Sequence, residues 1–325
     1  MLAAIREALP DFRRYLKAKA GLLGHANGMP FYDLFAPVGS ANRRYTADEA
    51  HDLLVKVFTE VNPEMGAFID HAFQSRWIDM YPKEGKEGGA FCAGCHELKL
   101  SRVLTNFVGS FSDVSTLAHE LGHSMHSWFS DTTQDYINHD YRIMVAEVAS
   151  TVNEVLLTKY LLKTETDEKR RAYILNHFLE SFRTTLYRQT LFAEFERKAH
   201  DLYAAGQPLT ATSLNKVYHD LEATYYDGIG IDADIDPEWS YIPHFYRAFY
   251  VYQYATGFSS AVAIAEHILT TGDASGYLKF LTTGGSDYPL EELKIAGIDL
   301  TKPDTVRSAL RVFDETVDEL SALLL

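Results

Sequence analysis

Helical periodicity runs through this sequence almost from end to end and leaves room for a single convincing strand. Phe12, Leu16, Ala20 and Leu23 recur at three to four positions behind Pro10, which predicts a helix from Pro10 to about Leu23. The same pattern holds from Ala47 to about Met80 and breaks only near Asn62 and Pro63. Further runs cover Val114 to about Phe129, Tyr141 to Leu162, Glu168 to Ala205, Thr210 to Tyr225 and Pro243 to Thr270, with a last helix from Asp304 onward. Pro82, Gly85, Gly88 and Gly89 make Tyr81 to Gly94 a loop. Leu98 to Gly109 is the strand candidate, because Val103, Thr105, Phe107 and Val108 are β-branched or aromatic. The expected fold class is mainly α: a multi-helix lobe with a small β-sheet.

The 325 residues can bury one or two sizeable cores, and 46% apolar content suits a globular protein that needs no staple. A formal charge of −15 repels phosphate backbones and anionic lipid, so neither nucleic acid nor membrane is expected as a partner. Charged residues such as Arg6, Glu7, Asp11, Arg13 and Arg14 interrupt the first twenty positions, and no later stretch reaches transmembrane length. The reading is a cytoplasmic protein. Its two cysteines, Cys92 and Cys95, lie too close together to staple distant segments.

The helix over Val114 to Phe129 carries His119-Glu120-Leu121-Gly122-His123, an H-E-x-x-H motif. Side chains at i and i+4 share one helix face, so two imidazoles can meet one ion with Glu120 beside them. Asp113 is the expected cap, while Leu117, Ala118, Leu121, Gly122 and Met125 give the compact surface of a core helix. The bland alternative is a buried helix whose histidines only hydrogen-bond. A catalytic zinc takes three protein ligands and keeps a fourth position for water, so one more ligand must come from elsewhere. His126 shares a face with His119, but seven residues of helix separate them by about 10 Å, too far for one ion. It reads as an outer partner or core. The following helix offers Glu147 and Glu154, and spacing alone does not choose between them.

Several blocks in order carry a family likeness. They are Met29 to Leu34, Gly88 to Cys92, Asn106 through His126, Ala146 to Ser150, Ile242 to Tyr246 leading into Phe249 to Gly257, and finally Gly284-Gly285-Ser286 with Ala296 to Asp299. In these the chain resembles oligoendopeptidase F, in the thimet-oligopeptidase-like family of zinc metallopeptidases, over nearly its whole length. The resemblance implies a metalloendopeptidase acting on oligopeptides, with one Zn²⁺ per chain held by His119, His123 and Glu147. It makes Glu154 an outer partner of a ligand histidine. It also carries an intermediate-stabilising role onto His244, Tyr250 and Tyr254, in a segment so crowded with aromatic residues that packing must claim most of them. Residues 1–80 are then an N-terminal helical segment of the catalytic lobe, and 81–325 the zinc metallopeptidase domain, in which the sheet lies beside the zinc helix and lines a substrate cleft. Family members carry a further N-terminal helical lobe that walls in a substrate channel, whereas this chain starts close to the catalytic part.

The implied mechanism uses Glu120 as general base toward a metal-activated water. The strand around Val103 to Phe107 is expected to pair with an extended peptide and to leave Asn106 near the cleft. Cys92-Ala93-Gly94-Cys95-His96 matches the c-type haem pattern, but attachment occurs outside the bacterial cytoplasm and the chain shows no export signal, so both read as loop cysteines. Asp232, Asp234 and Asp236 resemble a calcium loop, but Pro237 stands where glycine is needed, leaving an acidic turn. The competing functions are a metallocarboxypeptidase on a related helical scaffold and a peptide-binding protein without turnover.

Overall fold

Side-chain caps decide where several of the helices begin. The computed structural model describes residues 1–26, 28–38 and 43–323. Helices α1 (Leu2–Glu7) and α2 (Leu9–Leu22) open the chain, followed by the two-residue strand β1 (Met29–Pro30). Thr46 and Glu49 form a reciprocal capping box at the start of α3 (Ala47–Val61), and Asn62 caps α4 (Pro63–Gln74), which has Pro63 in its first turn. Strands β2 (Ile78–Asp79), β3 (Phe91–Cys95) and β4 (Leu100–Leu104) come next, then α5 (Phe111–Thr133) and α6 (Ile143–Thr164). A continuous helical stretch passes from α7 (Glu168–Ser181) through a π turn at Phe182–Tyr187 into α8 (Arg188–Ala204). The remaining elements are α9 (Ala211–Tyr225), β5 (Ile229–Gly230), α10 (Tyr252–Thr271), α11 (Ser275–Leu281), α12 (Pro289–Ile295) and α13 (Asp304–Ala322). The mainly helical fold class holds, and no helix of the described residues is long and apolar enough to cross a membrane.

Four expectations need correcting. The helix read to Met80 stops at Gln74, because Arg76 turns left-handed at φ 57° and Ile78–Asp79 then pairs in parallel with Val103–Leu104. The glycine-rich loop to Gly94 ends earlier, with β3 starting at Phe91 and taking in both cysteines. The helix read from Pro243 is a short 3-10 turn over Pro243–Tyr246, then a break, then α10. Asp113 is not the cap of α5: Ser110 is, accepting the Asp113 amide at 3.1 Å, while the Asp113 carboxylate accepts the amides of Ser110 at 2.8 Å and Val108 at 3.1 Å. The helix expected from Asp304 onward reaches Ala322, and residues 324–325 lie outside the described residues.

Two compact units divide the chain. One consists of Met1–Ser40, Leu175–Thr256 and Ala309–Leu325, the other of Ala41–Ile174 and Gly257–Ser308. The first has an aromatic core: Phe12 stacks on Tyr187 with centroids 4.2 Å apart, and Tyr226 and Phe313 close around it. Lys19 is buried there, donating to the Leu34 carbonyl at 2.6 Å and pairing with Glu180 at 3.0 Å, and burial lowers its proton affinity against the opposing pull of Glu180.

The second unit carries the motif helix. Its α6 is buried all round in its middle, where Val148, Ala149, Ser150, Thr151, Val152 and Asn153 follow one another and are all buried, so this helix is a central strut rather than a surface element. The α5 helix lies along it with Val114, Leu117, Ala118, Leu121 and Met125 fully buried. Gly122 makes the approach possible: a Cβ there would stand 2.6 Å from the Ser150 Cα and 2.7 Å from the Ala149 carbonyl oxygen, both on α6. On α5 also rests a three-stranded sheet of order β2-β4-β3, in which β4 is parallel to β2 and antiparallel to β3.

Candidate metal centre and active site

Two turns inside α5, His119 and His123 project from one face toward a point shared with Glu147 of α6. The two Nε2 atoms are 3.2 Å apart, and each is 3.5 Å from Glu147 Oε2. A tetrahedral ion bound at about 2 Å separates its ligand atoms by about 3.3 Å, so this triangle has the size such an ion requires. It is the group of three potential metal donors found among the described residues. Glu154, seven residues beyond Glu147, reaches the other nitrogen of the same ring: its Oε1 is 2.5 Å from His119 Nδ1, and its Oε2 accepts from Ser115 Oγ at 3.2 Å. That contact fixes the tautomer and points Nε2 into the triangle. Ser150 donates to the Glu147 carbonyl at 3.0 Å and lies 3.4 Å from Glu147 Oε2.

The charges of these groups are interdependent. Burial draws the His119 imidazole down, but the Glu154 carboxylate, backed by Glu147 and Glu120, outweighs burial and lifts it to about 9. Burial pushes the Glu147 carboxyl up, and the bond and charge of His123 together with His119 more than reverse it, leaving the group below its ordinary value. Glu120, only 6% exposed, is raised by burial against the opposing pull of His119 and His123. His126, expected to be an outer partner or core, is core: its ring lies parallel to Tyr141 at 3.7 Å, neither nitrogen has a hydrogen-bond partner, and burial pushes it down to about 3, so it is neutral.

A cavity of about 350 Å³ opens over the triangle, lined by His119, Glu120, His123 and Glu147 together with Ala90, Phe91, Cys92, Ser127 and Tyr141. The last five were missed by the sequence reading. Ser127 carried a signal, since it stands four residues after His123 and continues the same helix face. Its Oγ is 3.0 Å from the Tyr141 hydroxyl. Cys92 reads in the sequence as a loop residue, and only its strand register turns it inward, with Sγ 2.9 Å from Ser101 Oγ.

The other unit gathers the late residues. His244 and Tyr250 have ring centroids 5.6 Å apart and planes within 26°, and the Tyr254 hydroxyl is 3.3 Å from His244 Nε2. Sequence alone could not single these out from their aromatic neighbours.

The sequence profile of peptidase family M3 matches residues 47–312, most of the chain. The chain belongs to this family. Oligopeptidase PepF of Bacillus subtilis is 42% identical to it over 329 residues, which is 100% of this chain and 49% of that protein. The chromosomal oligoendopeptidase F of Lactococcus lactis subsp. cremoris is 39% identical over 330 residues, 100% of this chain and 54% of that one. The crystal structure of oligoendopeptidase-F from Enterococcus faecium superposes with a TM-score of 0.78 at 34% identity, covering 99% of this chain and 51% of that chain. This M3 chain therefore spans about half the length of the relatives it matches.

Two features of the M3 chain differ from their reading in the sequence. Cys92 and Cys95 are free and three apart on β3, so they face opposite sides of the sheet and cannot hold one group between them. The strand expected to receive an extended peptide, β4, already has β2 on one side and β3 on the other, and Asn106 donates instead to the carbonyls of Glu87 at 3.0 Å and Gly89 at 2.9 Å. Among the described residues the outer edges of β2 and β3 are the ones in this sheet that no strand pairs. The acidic turn is as read: Asp232 accepts the Asp234 amide at 3.0 Å and Asp236 pairs with His219 at 2.7 Å.

Proposed function

We propose that this chain hydrolyses internal peptide bonds of oligopeptides, with one zinc ion held by His119, His123 and Glu147 and with Glu120 as general base. The observation that carries the reading is the triangle of donors, sized for a tetrahedral ion, with a fourth side open to the cavity and a buried carboxylate next to it. The names of the relatives, oligopeptidase and oligoendopeptidase, support the substrate class. When bound, zinc polarises carbonyl and water oxygens and lowers the pKa of water to about 7. Glu120 takes the proton of the attacking water and gives it to the departing amine; its raised proton affinity suits both halves of that exchange. Glu154 and Ser115 hold the His119 ring to its tautomer. His244 and Tyr250 are assigned as donors to the developing oxyanion, with Tyr254 steadying His244 Nε2. An extended peptide has the outer edge of β3 available for main-chain pairing, since Ala90, Phe91 and Cys92 line the cavity. Residues 1–80 act as the helical segment leading into the catalytic part over 81–325. The free cysteines and the net charge of −15 fit work in the cytoplasm on peptides rather than on nucleic acid.

Product mass spectrometry on a mid-length peptide, with and without chelator, tests this reading. Internal cleavage that stops with chelator is expected, and Glu120→Gln lowers kcat by about 10²- to 10⁴-fold while zinc stays bound. Stepwise release of C-terminal residues would mark a carboxypeptidase, and zinc-loaded protein that binds peptides without cleaving them would mark a binding protein. A Glu120→Gln enzyme as fast as wild type would falsify the mechanism.

A further inference from the structure

Three non-glycine positions among the described residues have a left-handed backbone: Arg76, Lys99 and Phe249. Arg76 closes the end of α4, where the Arg76 and Trp77 amides bond back to Phe73 and Ala72, and Lys99 closes the β3–β4 hairpin, with its amide on the His96 carbonyl. Such turns commonly use this conformation. Phe249 terminates nothing of that kind. It lies between the 3-10 turn that ends at Tyr246 and the start of α10, and a bulky aromatic residue at φ 55° is a strained choice where glycine would be free.

Something must hold it there, and α8 supplies the restraint. Glu196 Oε1 accepts the Phe249 amide at 2.6 Å, and the Glu196 residue is only 4% exposed. His200, one turn further along α8, sets its ring 4.7 Å from that of Phe249. A carboxylate accepting a main-chain N–H makes one of the stronger hydrogen bonds, and burial shields it from water. The next residue is Tyr250, and the backbone direction at Phe249 decides where its ring goes. The Tyr250 amide returns to the Arg247 carbonyl at 3.2 Å, and the Arg247 amide to the His244 carbonyl at 3.0 Å, so the loop folds His244 and Tyr250 onto each other.

We propose that Glu196 is a positioning residue, whose buried carboxylate holds Phe249 left-handed and thereby sets the His244 and Tyr250 pair. Its catalytic consequence rests on the reading that these two act on the reaction intermediate. Strain of this kind persists only where surrounding structure enforces it, and it collects at functional sites.

The test compares Glu196→Leu, Glu196→Gln and the double variant Glu196→Leu/Phe249→Gly in the full chain loaded with zinc. It measures kcat and KM on a cleaved peptide, zinc content, and the imidazole proton resonances of His244, assigned by their loss in His244→Gln. Glu196→Leu should lower kcat by about tenfold to a hundredfold, leave KM and zinc content within about twofold, and shift the His244 resonance. Glu196→Gln keeps an oxygen that can accept the amide and recovers most of the loss. Glycine adopts positive φ without strain, so Phe249→Gly in the Glu196→Leu background restores both turnover and the resonance. A contribution to stability alone would not produce that recovery. Wild-type turnover and an unmoved resonance in Glu196→Leu overturn the proposal, as does a loss that Phe249→Gly fails to relieve. If His244→Ala and Tyr250→Phe turn over like wild type while the resonance still responds to Glu196→Leu, the assignment of those two residues fails and the positioning stands.

Discussion

Replacing Gly122 by alanine separates the geometry of the metal centre from the stability of the fold. The new Cβ would lie 2.6 Å from the Ser150 Cα, 2.7 Å from the Ala149 oxygen and 2.9 Å from the Ala149 carbon, all main-chain atoms of α6 that no side-chain rotation can move away. Carbon atoms settle at about 3.5–4.0 Å, so α5 and α6 must part by about 0.9 Å at the crossing. Overpacking of this kind costs about 1–3 kcal/mol, and the better helix propensity of alanine returns about 1 kcal/mol, so the net loss is about 0–2 kcal/mol. The consequence for the ion is larger. His123 directly follows Gly122, and Glu147 lies three residues before Ser150, so the displacement falls between a donor on α5 and a donor on α6. Metal–ligand distances hold to within about 0.2 Å, and a fraction of the shift already exceeds that. We expect zinc affinity to drop by at least about tenfold while the melting temperature falls by a few degrees. Competition against a buffered chelator series gives the affinity, and thermal unfolding of metal-free protein gives the stability. Zinc binding as tight as wild type, with an unchanged or higher melting temperature, would show that the α5–α6 approach does not set the site.

Other expectations follow from single contacts. Glu154→Leu releases His119 Nδ1 and should weaken zinc binding by about 10- to 100-fold, with Glu154→Gln intermediate, read by the same competition. In the other unit, Glu222 is fully buried, and burial, helped by the charge of Glu238, raises it to about 8. A carboxyl raised from an ordinary 4.5 favours the folded state most below pH 4.5, and that contribution is lost as pH climbs to about 8. Glu222→Gln should match wild type near pH 5 and become progressively more stable than it toward pH 8; melting curves that keep a constant offset across this range would contradict the assignment. Ser110→Ala removes the α5 cap and should cost about 1 kcal/mol in denaturant unfolding.

The motif helix was legible because H-E-x-x-H is a statement about helix periodicity, and α5 obeys it with His119 and His123 on one face. Its start was misplaced by the same logic that found it: Asp113 is a good cap by residue type, but in a reciprocal box the acidic residue takes the third position and Ser110 the first. Glu147 and Glu154 could not be told apart by spacing because both touch His119, one at each side of the ring, which is a matter of how α6 lies against α5. The strand reading over Leu98 to Gly109 found the place of β4 but ran past its end at Leu104, so that only Val103 of its β-branched and aromatic residues lies in the strand. It did not give the central place in the sheet, since pairing partners leave no mark on a single strand. The break after Tyr246 was invisible for a sharper reason. Helix-like spacing continues through the aromatic residues there, and the left-handed turn is made by Phe249, where a reader looks for glycine.

The span from Glu147 to Glu154 has one further consequence. These carboxylates grip opposite nitrogens of a single imidazole from one rigid helix, at 3.5 Å and 2.5 Å. An inserted or deleted residue between them would swing everything beyond by about 100° and slide it by about 1.5 Å, and no neighbouring side chain would arrive in the lost place. Descendants of such a chain can exchange side chains in this stretch but cannot change its length. Growth and shrinkage are left to the connections, so the interval acts as a fixed gauge against which the rest of the molecule is free to drift.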